Sequence, residues 1–86
     1  MMDVIRAHLV GGRRDRRVFT LLSRVSSVLS PVDSEFYEYR LVRTDIHMPD
    51  GWPKDHYLYV DAGLSEIAAH GAVASYLAEW ADAHPC

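Results

Sequence analysis

The segment GLSEIAAHGAVASYLAEWADAH, residues 63–84, is the longest periodic stretch of the sequence and decides the fold. Its large side chains recur every three or four positions, which is the spacing of one face of an α-helix. The predicted apolar stripe comprises Ile67, His70, Val73, Ala74, Tyr76, Leu77, Trp80 and Ala81. A single helix in a chain of 86 residues needs a flat apolar partner, and the preceding residues have strand-like composition. We therefore predict an α+β fold with one C-terminal helix on a small antiparallel sheet of about four strands.

The opposite face of this helix carries mostly small residues, which allow another backbone to approach closely. A chain this short buries a small fraction of its surface, so dimerisation would stabilise it. We therefore predict a homodimer formed through this face or through a free sheet edge. The self-association residues would be Ala68, Gly71, Ala72 and Ser75. Plain solvent exposure is the alternative, because alanine is the best helix former.

The overall composition is that of an ordinary globular protein, with 49% hydrophobic and 24% charged residues. We expect one domain over residues 1–86. The single cysteine, Cys86, excludes an internal disulfide framework, and no apolar leader is present at the N-terminus. No apolar run approaches the roughly 20 residues needed to cross a bilayer. We expect a cytoplasmic protein without a membrane span.

Three segments are typical of strands, by alternation or by β-rich composition. They are Asp3–Val10, Glu35–Ile46 and His56–Asp61. Gly11-Gly12 predicts a tight turn after the first strand. The proline- and glycine-containing stretch 47–55 predicts a surface loop. We expect the tyrosines of the last strand to pair with those of the Glu35–Ile46 strand.

Residues 16–29 allow two interpretations. Val18–Leu22 can form the strand that returns after Gly11-Gly12. Apolar residues within the same segment also have helical spacing, which slightly favours a helix, although β-branched residues and serines oppose it. These apolar residues are Val18, Leu21, Leu22, Val25, Val28 and Leu29.

Three short motifs resemble those of a group of small actinobacterial and actinobacteriophage proteins of unknown function. They are Ala7-His8-Leu9-Val10-Gly11-Gly12-Arg13-Arg14-Asp15, Tyr39-Arg40-Leu41 and Tyr57-Leu58-Tyr59. Proteins of that group have a strand, a Gly-Gly-Pro-x-Asp-Gly turn and a second strand, followed by Tyr-Arg-Leu and Tyr-x-Tyr strands. The resemblance covers about residues 3–61, with Arg13 in place of proline and Arg16 in place of glycine. It implies a strand followed by an irregular segment over residues 16–29, and a phage origin.

The net charge of −3 conceals two oppositely charged halves. Residues 1–24 contain six arginines and two aspartates, whereas residues 25–86 contain three basic residues and ten carboxylates. The arginine cluster of the predicted hairpin is a candidate for binding an acidic partner. Its residues are Arg13, Arg14, Arg16 and Arg17. Trp52, in the predicted loop, is a second candidate, either as an interface anchor or as a cap on the sheet edge.

The sequence contains no motif for acyl or phosphoryl transfer, so we expect no enzyme and no cofactor. The potential metal ligands have no recognised zinc spacing, and exposed loop histidines explain them better. These ligands are Asp45, His47, Asp55, His56, His84 and Cys86. His70, within the apolar stripe, is expected to be a core or interface residue.

We therefore expect a small non-enzymatic interaction protein, encoded by a phage, that binds a host or phage protein in the bacterial cytoplasm. A nucleic-acid-binding accessory protein that uses the Arg13–Arg17 hairpin is the first alternative. It is less favoured because the sequence pI is about 5.9. A virion structural or decoration subunit is the second alternative.

Overall fold

The computed structural model of the protein describes residues 4–42 and 48–83. Five strands and one helix follow one another, with a 3₁₀ turn at Gly12–Arg14 between the first two strands. They are β1 (Ile5–Val10), β2 (Val18–Leu21), β3 (Ser27–Val32), β4 (Glu35–Leu41), β5 (His56–Asp61) and α1 (Glu66–Ala83). The predicted α+β class and the C-terminal helix are confirmed.

The strands form one mixed sheet in the order β2-β1-β5-β4-β3. β1 and β5 are parallel, with Arg6 opposite His56, and the other neighbouring pairs are antiparallel. The predicted antiparallel sheet of about four strands is thus only roughly right. Parallel and antiparallel strands share the same alternation of side chains, so the sequence pattern does not distinguish them.

Residues 16–29 contain strands and no helix. β2 confirms the predicted returning strand, which is antiparallel to β1. β3 is not among the predicted strands, because a proline within a segment argues against a strand. Pro31 lies within this strand, at a position where its nitrogen faces away from β4 and no ladder hydrogen bond is lost. The β3–β4 turn places Asp33 at a φ of 56°, in the left-handed region.

The sheet has one buried cluster on each face. The convex face, covered by α1, contains the buried residues Val10, Leu58, Val73 and Leu77. The concave face contains Ala7, Leu9, Tyr39 and Tyr59, each with no measurable exposure. The tyrosines of β4 and β5 share this face as expected, but they are not directly opposite one another, since Tyr59 lies opposite Leu41 and Tyr39 opposite Asp61.

The helix packs on the sheet through one side of the predicted stripe. Val73 and Leu77 are buried, whereas Ile67 is 87% exposed and His70 is also exposed. Tyr76 packs against the convex cluster. The first turn, capped by a hydrogen bond from the Ala68 amide to Ser65 Oγ (3.2 Å), lies beyond the sheet contacts.

His70, which is predicted to be a core or interface residue, is exposed and therefore lies outside the core. None of the described helices combines the length and the hydropathy needed to cross a bilayer.

The concave face is closed by curling of the sheet itself. β2 and β3 are the two ends of the strand order, yet residues of both line the same cavity. A hydrogen bond of 3.1 Å from Arg14 Nε to Ser30 Oγ joins the β1–β2 loop to β3. The sheet thus resembles a barrel with one strand missing.

Candidate functional site

The arginine-rich loop between β1 and β2 is held from below by a buried tyrosine. The Tyr39 hydroxyl donates to the Gly11 carbonyl (2.7 Å) and accepts from the Arg14 amide (3.0 Å). Asp15 Oδ1 accepts a further bond from the Gly11 amide (2.7 Å). Gly11 and Gly12 have φ values of 79° and 69°, which explains why glycine is required there. Burial raises the pKa of Tyr39, so its hydroxyl stays protonated and available as a donor.

The four predicted arginines have different surroundings. Arg14 Nη2 donates to the Pro31 carbonyl (2.8 Å), and its guanidinium lies 6.0 Å from the centre of the Phe19 ring. Arg13 lies at the same distance from the Tyr37 ring. These two arginines therefore border the concave face.

Arg16 and Arg17 differ in whether their charge is paired. Arg16 forms ion pairs with Asp15 and with Glu79 of α1, so its charge is matched within the molecule. Its φ of 67° lies in the left-handed region that favours glycine. Arg17 is exposed and lies opposite Leu9, whose amide donates to its carbonyl (2.8 Å). This pairing places the Arg17 side chain on the concave side of the sheet.

A cavity of about 260 Å³ lies between β2 and β3 and opens to solvent. Ala7 and Leu9 of β1 form its floor, and the two edge strands form its walls. The wall residues are Phe19, Thr20, Leu21, Val28, Leu29, Ser30 and Pro31. We call this cavity and its walls the groove. Because most of its lining side chains are apolar, the groove suits an apolar group.

Arginines surround the groove at both ends. Arg14 and Arg17 lie near the start of β2, and Arg24 lies near its end, 6.0 Å from the centre of the Tyr57 ring. Among the described residues, none of these three arginines forms an ion pair with a carboxylate, in contrast to Arg16. The groove is therefore apolar in its depth and basic at its ends.

A second polar cluster lies on the convex side, between β1, β5 and α1. His8 is 5% exposed, and its Nδ1 lies 2.5 Å from the Tyr76 hydroxyl. Its Nε2 lies 2.7 Å from His56 Nδ1, and His56 Nε2 lies 3.8 Å from Asp55 Oδ1. Trp52 packs on both histidine rings.

One protonation pattern satisfies this cluster with neutral histidines. Tyr76 donates to His8 Nδ1, His8 Nε2–H donates to His56 Nδ1, and the remaining His56 N–H faces Asp55. Burial, and secondarily the neighbouring His56, lower the pKa of His8 to about 4. His8 is therefore neutral at physiological pH, and the cluster stabilises the helix–sheet contact as an internal polar link.

Trp52 belongs to this cluster and does not project as a free anchor. Its Nε1 donates to the His56 carbonyl (3.0 Å), and its ring centre lies 5.0 Å from that of Trp80. Of the two roles considered for Trp52, the structure thus places it as a cap on the sheet.

The four predicted self-association residues do not share one free surface. Ala68, Gly71 and Ser75 are exposed on the outer side of α1. Ala72 instead packs against the convex cluster, since the helix is rotated relative to the predicted stripe. A helix–helix contact through this side would therefore use the other three.

The described residues include no group of three or more histidine, cysteine, aspartate or glutamate side chains placed to hold a metal ion. His56 begins β5 and contacts His8, so it is not an exposed loop histidine. The other metal-ligand candidates, apart from Asp55, lie outside the described residues. They are Asp45, His47, His84 and Cys86.

No protein family matches this sequence, and no curated protein or solved structure matches it significantly. The resemblance to short actinobacterial and actinobacteriophage proteins stays a prediction.

Sequence reasoning did not identify the groove or the convex cluster. β3, which forms one wall of the groove, is absent from the predicted strands, because Pro31 lies within it. Arg24 was counted only in the charge balance, because it is distant in sequence from the arginine cluster. The sequence does contain a signal for β3. Val28 and Ser30 alternate with Leu29 and Pro31, so each pair lies on one side of a strand, and a proline is tolerated in an edge strand.

Proposed function

We propose that this chain is a small non-enzymatic interaction protein that binds another protein through the groove. The supporting observation is an apolar cavity of about 260 Å³ between two edge strands, flanked by arginines that form no ion pair with a described carboxylate. Exposed large apolar side chains on or beside the same two strands extend the surface. They are Val18, Phe19, Leu22, Val25 and Leu29. As proposed from the sequence, the partner is a host or phage protein in the bacterial cytoplasm.

Nucleic acid is the second candidate, because three arginines lie over aromatic rings around the concave face. In each of these pairs, however, the guanidinium covers a ring face on which a base would stack. The groove is also lined chiefly by aliphatic and aromatic side chains rather than by donors for phosphate. These features favour a protein partner.

A homodimer belongs to the same proposal, through the outer side of α1 or through a sheet edge. The exposed positions of Ala68, Gly71 and Ser75 support the helix surface. This surface lies on the convex side of the molecule, so a helix-mediated dimer leaves the groove accessible.

Affinity capture from an actinobacterial lysate tests the proposal, with nuclease treatment as one arm. Leu29 is 65% exposed and lines the groove, so Leu29→Glu should abolish capture without unfolding the chain. Ile67→Glu, at an even more exposed site on α1, makes the same chemical change away from the groove and should capture normally.

We expect a protein that is retained by the wild type and by Ile67→Glu, and lost with Leu29→Glu. Capture that disappears after nuclease treatment would favour the nucleic-acid candidate. Equal capture by all three baits would place the partner surface elsewhere.

A further inference from the structure

We infer that the partner supplies an extended segment that inserts between β2 and β3 as a sixth strand, with a large apolar side chain in the cavity and carboxylates at both ends. This inference rests on the proposed function and specifies the chemistry of the partner. It follows from the hydrogen-bonding state of the two edges, from the size of the cavity and from the position of the arginines.

The free edge of β3 presents backbone groups to the groove. The Leu41 amide donates to the Ser26 carbonyl (2.9 Å), which fixes the alternation of bonded and non-bonded pairs along the β3–β4 ladder. By that alternation, Ser27 and Leu29 direct their N–H and C=O groups away from β4. Within the described residues, these groups have no hydrogen-bond partner. Pro31 ends the accessible edge, since it has no N–H and its carbonyl already accepts from Arg14.

The free edge of β2 also presents unpaired backbone groups to the groove. The hydrogen bond between the Leu9 amide and the Arg17 carbonyl sets the alternation along β1 and β2. Val18 and Thr20 therefore direct their N–H and C=O groups away from β1, and no described group pairs with them. β2 and β3 run in opposite directions, so an inserted strand is antiparallel to one wall and parallel to the other.

The size of the cavity selects a side chain rather than a free small molecule. Its volume of about 260 Å³ is below the roughly 300–1,000 Å³ typical of small-molecule sites. The floor of Ala7 and Leu9 is apolar and fully buried. A strand that crosses the groove directs every second side chain toward this floor, so one large apolar residue would occupy the cavity.

The arginines determine the charge of the inserted segment. Arg14 and Arg17 lie at one end of β2 and Arg24 lies beyond the other end, and no described carboxylate pairs with them. β2 has four residues, which corresponds to about 13 Å of extended chain. A segment with acidic residues about four or five positions apart would therefore reach both ends. This pattern defines the partner as an acidic, β-forming peptide segment with an apolar centre.

Synthetic peptides test the inference on the full-length protein. The probe is a peptide of about seven residues, with two glutamates four positions apart on either side of a central phenylalanine and with threonine and valine at the other positions. We expect saturable binding by fluorescence anisotropy, with amide shift changes at Val18, Thr20, Ser27 and Leu29 in NMR spectra. N-methylation of the peptide backbone on one side of the central residue leaves the side chains unchanged but removes backbone N–H donors. It should weaken binding about tenfold or more, because each lost hydrogen bond contributes about one order of magnitude.

Variants of the protein complete the design. Leu29→Glu should abolish peptide binding, and charge reversal of the exposed pair Arg17 and Arg24 to glutamate should weaken it about tenfold or more. Arg6→Glu reverses a charge that is exposed on β1, outside the groove, and should bind as the wild type does. Circular dichroism of each variant establishes that the fold is retained.

The outcomes separate this inference from the proposed function. No binding of the probe at millimolar concentration, or equal binding of the N-methylated peptide, would overturn strand insertion. If lysate capture still depended on Leu29 in that case, protein binding through the groove would stand without it. Binding of an oligonucleotide in place of the peptide, with the same sensitivity to Leu29→Glu, would overturn both.

Discussion

The convex and concave faces of the sheet both have aromatic side chains and polar groups, but they are completed in different ways. On the convex face, α1 and Trp52 cover the strands, and both ring nitrogens of His8 have partners. On the concave face, the sheet curls over itself and leaves a cavity between two unpaired edges. Throughout the described residues, every buried side-chain nitrogen and oxygen has a partner. Within the described residues, the backbone groups of β2 and β3 that face the groove have no hydrogen-bond partner. The convex face is therefore covered by other elements, whereas the concave face ends in two free strand edges.

The largest expected effect comes from breaking the convex core. Leu77→Ala should destabilise the protein by about 2–5 kcal/mol, because it leaves a cavity between α1 and the sheet. Ile67→Ala changes a similar side chain on the same helix, where it is 87% exposed, and should stay within about 0.5 kcal/mol. Urea denaturation measures both. Equal effects of the two variants would show that the helix is rotated relative to the arrangement described.

The His8 cluster makes the convex contact sensitive to acid. The pKa of His8 is lowered from 6.5 to about 4 in the folded protein, so the unfolded chain binds a proton first as the pH falls. The stability that depends on neutral His8 is complete above about pH 6.5 and should be lost between about pH 6.5 and pH 4. At about 1.4 kcal/mol per pKa unit, this lowering corresponds to at most roughly 3–4 kcal/mol.

Denaturation curves at several pH values check this prediction. His8→Gln should flatten the pH dependence in that range, whereas His70→Gln, at an exposed position on α1, should retain the wild-type slope. If His8→Gln kept the full slope, the acid sensitivity would come from carboxylates instead.

A substitution of Tyr39 measures how much the concave face contributes to stability. Tyr39→Phe keeps the ring in the core but removes the hydroxyl that bonds to Gly11 and Arg14. We expect a loss of about 1–2 kcal/mol, because two backbone groups of the arginine loop lose their partner. Tyr37→Phe removes an exposed hydrogen bond to Glu35 and should cost at most about 0.5 kcal/mol. Thermal denaturation of the two variants gives the difference, and a value near zero would mean that the loop does not depend on Tyr39.

The smallest expected effect on stability concerns the outer side of α1, which belongs to neither core. A Cβ atom at Gly71 would meet no described atom within 4 Å outside its own helix, so Gly71→Leu should fold and gain up to about 1 kcal/mol from helix propensity. If this side mediates a dimer, the variant should become monomeric in light scattering at micromolar concentration. A wild-type mass of 9.8 kDa at all concentrations would rule out the dimer. An unchanged dimer in the variant would move the interface to a sheet edge.

Much of the fold was predictable because it depends on local patterns. Ser65 and the periodic residues after it specify α1, and the alternation in Ile5–Val10 and the two glycines after it specify the first hairpin. The arginine loop was also predicted as the tip of that hairpin. These features depend on neighbours within a few residues, so the sequence contains the whole signal.

Only the tertiary structure determined the remaining features, because they depend on pairing between distant segments. The parallel contact of β1 with β5 joins Arg6 to His56, and no local pattern encodes its direction. The rotation of α1 depends on which side chains reach the sheet, so Val73 and Leu77 are buried while Ile67 remains exposed. The groove likewise exists because curling brings β2 and β3, the two ends of the sheet, to the same cavity. The helix, the first hairpin and the charge distribution could be derived from the sequence alone. The free strand edges beside the arginines could be identified only from the three-dimensional structure, because an edge is defined by the absence of a neighbouring strand in space.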